Sequence, residues 1–106
     1  MDKQKYLIRN IKNFIANLMK DFKIERIVFF GSGVTKKFTS HSDIDLIIVS
    51  DNFKGMNFFE RAAKMYDYWD IDLPVDFLCY TLEEFEKLRK KISIVREALQ
   101  NGVIVR

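Results

Sequence analysis

Two runs of four consecutive apolar residues, Ile27–Phe30 and Leu46–Val49, decide what this chain can become. Both are rich in β-branched or aromatic side chains and read as strands. Neither approaches the roughly 18–20 residues that a membrane-spanning helix needs. Around them the hydrophobic period changes. Leu7, Ile11, Phe14, Ile15, Leu18 and Phe22 recur at helical spacing and predict an amphipathic helix over about residues 3–22. Ile24–Phe30 is stopped by Gly31-Ser32-Gly33, as a strand entering a tight turn would be. Ile44–Val49 predicts a second strand, and Asp51-Asn52 with Gly55 predict the loop after it. Phe58, Ala62, Met65, Tyr66 and Trp69 predict the buried stripe of a helix over about residues 57–69. Pro74 opens a third strand through Tyr80, since proline is tolerated at a strand's first residue. Thr81 followed by Glu83-Glu84 predicts an N-cap with acids in the first turn and a helix to about Lys90. Ile94–Gln100 predicts a further helical turn or two, closed by the C-cap signal Asn101-Gly102, and Val103–Val105 a short last strand. The alternation predicts an α+β (or α/β) fold, a small mixed β-sheet packed with helices.

The remaining composition agrees. A length of 106 residues leads us to expect one domain over 1–106, and a hydrophobic fraction of 48% suffices for a core. One proline and four glycines exclude collagen-like and linker-like chains. Cys79 stands alone, which excludes a disulfide framework and a cysteine-based metal site. The start, MDKQKYLIRN, has no apolar leader segment, so a cytoplasmic protein with no membrane partner is expected. Charge decides little. Residues 1–50 carry nine Lys or Arg against five Asp or Glu, and residues 51–106 carry nine against ten. No cluster resembles the basic tracts that follow a nucleic-acid backbone, so nucleic acid is not expected as the main partner.

The chemistry is concentrated in FGSGVTKKFTSHSDIDLIIV, residues 30–49. Asp43 and Asp45 stand two apart at the start of a strand, so their side chains leave the same face while Ile44 and Leu46 turn to the core. Two adjacent carboxylates repel, and a divalent cation reverses that sign; hard oxygen ligands suit Mg²⁺. Taken alone, such a pair is also what a solvated strand end looks like. Gly31-Ser32 supplies the second half: a strand ending in Gly-Ser offers backbone N–H groups and a hydroxyl to an anion. An ordinary turn would look the same in isolation. The combination is far more specific than either part.

That combination resembles the minimal nucleotidyltransferases of the DNA polymerase beta superfamily. Their signature is G-S, about nine residues, then S-D-x-D-L, with a third acid on a later strand. Here Gly31-Ser32 is followed by the nine residues Gly33 to His41, then Ser42-Asp43-Ile44-Asp45-Leu46. The third acid fits Asp76, in Pro74-Val75-Asp76-Phe77-Leu78, better than Asp72, whose surroundings read as a solvated loop. The resemblance implies Mg²⁺-dependent transfer of a nucleoside monophosphate, AMP from ATP, to a hydroxyl. Asp43, Asp45 and Asp76 would be catalytic and would bind two Mg²⁺ ions, with Mn²⁺ as a substitute, and Asp76 would help to deprotonate the attacking hydroxyl. Gly31, Ser32, Gly33, Lys36 and Ser42 would bind the nucleotide. It also implies an antitoxin-like protein paired with a small helical HEPN-type toxin, one of whose tyrosines would accept the AMP.

The chain departs from the family pattern in one stretch. Many members continue G-S-R-A-R-G, whereas this chain has Gly31-Ser32-Gly33-Val34-Thr35-Lys36, with neither arginine. Lys36 or Lys37 can supply charge but not the planar fork of arginine. The alternative reading is therefore a non-catalytic, antitoxin-like binding subunit with a degenerate nucleotide site; a nucleic-acid-binding scaffold with a vestigial site is a third. A homo-oligomer is left open. Phe58, Phe59, Tyr68 and Trp69 exceed what one helical stripe hides and are expected to face a partner. His41 reads as an exposed loop residue, Cys79 as a buried thiol, Tyr66 and Trp69 as packing, and Lys87, Arg89, Lys90 and Lys91 as a solvated helix face.

Overall fold

A computed structural model describes residues 3–31 and 44–106. Helix α1 spans Lys3–Leu18 and strand β1 Arg26–Phe30; β2 covers Asp45–Val49 and leads into a 3₁₀ turn at Asp51–Phe53. Helix α2 (Phe58–Tyr66), strand β3 (Asp76–Tyr80), helices α3 (Leu82–Arg89) and α4 (Ile94–Asn101) and the short strand β4 (Val103–Ile104) follow. The sheet order is β3-β2-β1-β4. β1 runs antiparallel to both β2 and β4, while β2 and β3 are parallel. The predicted small mixed sheet packed with helices is the observed one.

Alternation along the strands gives the sheet two apolar faces. On one, Ile27, Phe29, Leu46, Ile48, Phe77 and Cys79 pack with the α1 stripe and with Met65 of α2. On the other, Val28, Ile47, Val49 and Tyr80 pack with Phe85 of α3 and with Val95 and Ala98 of α4. β2 is buried on both sides through Leu46–Val49, which is why its sequence is an unbroken apolar run. A parallel neighbour needs a crossover of a dozen or more residues. Here it is the 3₁₀ turn and α2, each started by a side-chain cap. Ser50 accepts from the Asn52 amide, and Asn57 forms a capping box with Glu60. Gly55, with φ +84°, supplies the left-handed turn between them.

Three expectations change. The first helix ends at Leu18, and Phe22 lies in the turn beyond it. The second is shorter than residues 57–69 and is rotated from its predicted stripe. Of that stripe Met65 is buried and Ala62 and Trp69 pack against the core, whereas Phe58 and Tyr66 are about half exposed and Arg61 takes a buried place. Arg61 can be buried because its whole guanidinium is occupied. Nε donates to the Met56 carbonyl (2.9 Å), and Nη1 donates to the Cys79 carbonyl (3.2 Å) and to Glu84 Oε1 (2.6 Å). Third, Gly102 closes α4 in an extended conformation rather than a left-handed one (φ −94°). Glycine is needed there for space: a Cβ would lie 2.6 Å from the Ala98 carbonyl oxygen and 2.7 Å from that of Phe29.

Candidate active site

The two strands that carry the expected acids are neighbours, and their register places those acids side by side. Asp45 and Asp76 are partners in the parallel β2–β3 ladder, fixed by the Asp76 amide donating to the Ile44 carbonyl at 2.9 Å. Their backbones are therefore about 4.8 Å apart, and their side chains leave the same face of the sheet. Parity identifies that face. Asp45 alternates with Ile47 and Val49, and Asp76 with Leu78 and Tyr80, so both carboxylates share the face that α3 and α4 cover further along. At the strand starts this cover ends: Asp45 is half-buried and Asp76 exposed. Ile44 and Leu46 are buried in the opposite core, as the sequence predicts.

β1 completes the row. Phe30 is the antiparallel partner of Asp45, so β1 runs out beside the acids and reaches Gly31 there. Gly31 has φ +104°, a conformation open to glycine and strained for other residues. The predicted tight turn thus begins at the same end of the sheet as the acidic pair. α4 also closes here, where Gly102 packs against the Phe29 carbonyl and the Phe30 side chain. Asp43, Ser32, Gly33, Lys36 and Ser42 lie outside the described residues, as do Lys37 and His41. Asp72, the competitor for the third acid, is an exposed residue of the 71–73 bend ahead of β3, not of the strand. Among the described residues no group of three or more histidine, cysteine, aspartate or glutamate side chains is gathered as for a metal ion. Two carboxylates on register partners are a hard-oxygen donor set, and this fits Mg²⁺ better than a softer metal.

The segment that delivers Asp76 is held in a way that hydrophobic periodicity does not reveal. Tyr66 donates its phenol O–H to the Val75 carbonyl, and Trp69 donates its indole N–H to the Leu73 carbonyl (2.9 Å). Burial of the ring, with the nearby Asp76 charge second, raises the Tyr66 pKa, so the phenol stays a donor. Both rings also pack edge-on against Phe77, at centroid distances of 4.9 Å and 5.7 Å. Their reading as packing residues is right but incomplete, and the polar tips of tyrosine and tryptophan were the available signal.

Other candidates resolve simply. Cys79 is buried, and desolvation raises its thiol pKa to about 12, which leaves it unreactive as a nucleophile. Lys87 pairs with Glu83 at 3.2 Å and Arg89 with Glu86 at 3.2 Å, both exposed ion pairs of a solvated helix face. The four aromatics expected on one partner face divide. Phe59 is 88% exposed and Phe58 51%, but Tyr68 and Trp69 are half-buried against the α1 side of the core.

A solved crystal structure from Sulfolobus solfataricus, provisionally described as a nucleotidyltransferase, shares the fold. The alignment has a TM-score of 0.67 and 20% identity, and covers 95% of this chain and 80% of that one. The sequence itself matches the nucleotidyltransferase domain family over residues 8–101. The chain belongs to that family. No curated protein matches its sequence significantly. Among the described residues, no helix is long and apolar enough to cross a membrane.

Proposed function

We propose that this protein transfers a nucleoside monophosphate, AMP from ATP, to a hydroxyl acceptor at the site that begins with Asp45 and Asp76. The observation that carries the reading is the ladder register, which sets these two acids side by side on one face of the sheet, at the end where β1 reaches Gly31. Like charges on directly opposed positions destabilise a sheet. Two carboxylates held side by side are hard oxygen donors for a divalent cation that carries a triphosphate. Asp45 and Asp76, with Asp43 as the third acid, are the residues to hold Mg²⁺. When bound, the ion neutralises the triphosphate and the charge that builds on the leaving pyrophosphate. The chain's own contribution is placement and polarity. Asp76, the more exposed acid, faces the side from which an acceptor approaches and takes the proton of its hydroxyl. Gly31, with Ser32, Gly33, Lys36 and Ser42, would hold the phosphates through backbone N–H groups, hydroxyls and one ammonium. Family membership supports the reaction class, whereas ATP, Mg²⁺ and the acceptor are our reading.

The acceptor we favour is a tyrosine of a small helical partner protein of the HEPN type. The motivating observation is the exposure of two adjacent aromatics on α2, Phe59 almost fully and Phe58 about half. The test mixes the chain with such a partner, Mg²⁺ and ATP, and weighs both proteins by mass spectrometry. A partner heavier by one AMP, with the gain lost in Asp76→Asn, is the expected result. Tight binding without a mass change, unaffected by Asp76→Asn, would replace the enzyme with a purely binding subunit.

A further inference from the structure

Among the described residues β3 is an edge strand of the sheet, and it carries an acid on which the proposed chemistry depends. On its inner side, the Asp76 amide donates to the Ile44 carbonyl and the Tyr80 carbonyl accepts from the Ser50 amide, each at 2.9 Å. The carbonyls of alternate residues turn outward, away from β2. An edge strand paired on one side only can slip, and a slip of one residue would turn Asp76 to the opposite face, away from Asp45.

Side chains from α2 and the turn after it donate to one outward carbonyl of β3 and to two carbonyls of the segment that leads into it. Tyr66 donates to Val75, the residue immediately before Asp76, and Trp69 donates to Leu73, two residues further back. Arg61 Nη1 donates to the Cys79 carbonyl near the far end of the strand. The two aromatic donors are themselves fixed. Tyr66 packs on Phe77, and Trp69 packs between Phe77 and Phe14, whose ring is 5.3 Å away on α1. The Leu73 amide also donates back to the Ile71 carbonyl at 2.8 Å, tightening the entry to the strand. Asp76 itself is exposed and buries nothing that could hold it in place.

We infer that Tyr66 and Trp69 are positioning residues that lock β3 in the register placing Asp76 beside Asp45, and so set the geometry of the carboxylate site. The functional half of this statement rests on the proposed nucleotidyl transfer; the register half does not. Tyr66→Phe is the cleanest probe, because it keeps the ring on Phe77 and removes only the donor. Trp69→Phe is the companion, and Val95→Ala, in the α4 core on the side of the sheet away from Tyr66 and Trp69, is the control for general destabilisation.

Two measurements on the full chain separate the possibilities. Amide hydrogen exchange should show the Asp76 amide exchanging about five- to tenfold faster in Tyr66→Phe, the weight of one hydrogen bond, with the Ile47 and Ile48 amides unchanged. Mn²⁺ binding, followed by the paramagnetic signal of the free ion with a non-hydrolysable ATP analogue present, should weaken about three- to tenfold in Tyr66→Phe and in Trp69→Phe. Val95→Ala should lower the melting temperature further than Tyr66→Phe yet leave Mn²⁺ affinity at the parent value. An Asp76 amide that exchanges at the parent rate in Tyr66→Phe overturns the inference. So does faster exchange with Mn²⁺ affinity unchanged. If the parent itself does not bind Mn²⁺ with the analogue, the proposed function fails, and the exchange rates still decide the register half.

Discussion

Arg61 carries more of this fold than its place in the sequence suggests. It is 8% exposed and joins α2, β3 and α3 through the Met56 and Cys79 carbonyls and Glu84, with its guanidinium 5.9 Å from the Phe53 ring centroid. Arg61→Leu leaves the buried Cys79 carbonyl without that donor and should cost about 1–3 kcal/mol in denaturant unfolding. The hydrogen bond from Arg61 is the main reason that the Glu84 pKa lies below its ordinary 4.5. A lowered carboxylate pKa stabilises the folded state above pH 4.5, and this contribution is lost as pH falls through the folded value. Melting temperature should therefore fall less steeply in Arg61→Leu than in the parent between about pH 5 and about pH 3. A parallel decline would deny the pair its role. Cys79 gives a second check at this scale. With its pKa raised to about 12, it should resist a thiol reagent at neutral pH and react only as fast as the sheet opens.

Elements were more legible than their edges. Period and turn chemistry identified all four strands and all four helices of the described residues, because both core faces are built from unbroken stripes. Thr81 was readable as a cap since its capping box with Glu84 is local in sequence. The rotation of α2 was not readable. The partners of Arg61 are Met56, Cys79 and Glu84, two of them far along the chain, and no helical period encodes them. Gly102 shows a right signal with a different cause, since close packing of α4 on β1 demands the glycine there. Gly102→Ala should cost about 1–3 kcal/mol, because the atoms its Cβ meets are backbone and cannot turn aside. A Gly102→Ala chain as stable as the parent would mean that α4 shifts freely on the sheet.

At the scale of the whole molecule, the described helices cover both faces of the sheet, and two acids stand at one end of it. α1 and α2 cover one face and α3 and α4 the other, so the acids at the starts of β2 and β3 stand where helical cover stops. The family resemblance implied that Asp45 and Asp76 serve one site, and the parallel register makes them direct neighbours in the sheet. What spacing alone did not reveal is how an exposed acid on an edge strand keeps its place, since Tyr66 and Trp69 act through backbone carbonyls that have no signature in sequence.

These carboxylates should bind a metal–nucleotide complex. That binding is tested most directly by the melting temperature of the parent, Asp45→Asn and Asp76→Asn chains with Mg²⁺, with ATP and with both. Because the triphosphate completes the metal's ligand set, the parent should rise by several degrees with both together and by much less with either alone. Both variants should fold and lose the joint rise. A variant that responds to MgATP as the parent does would place the nucleotide elsewhere on the molecule and contradict the account.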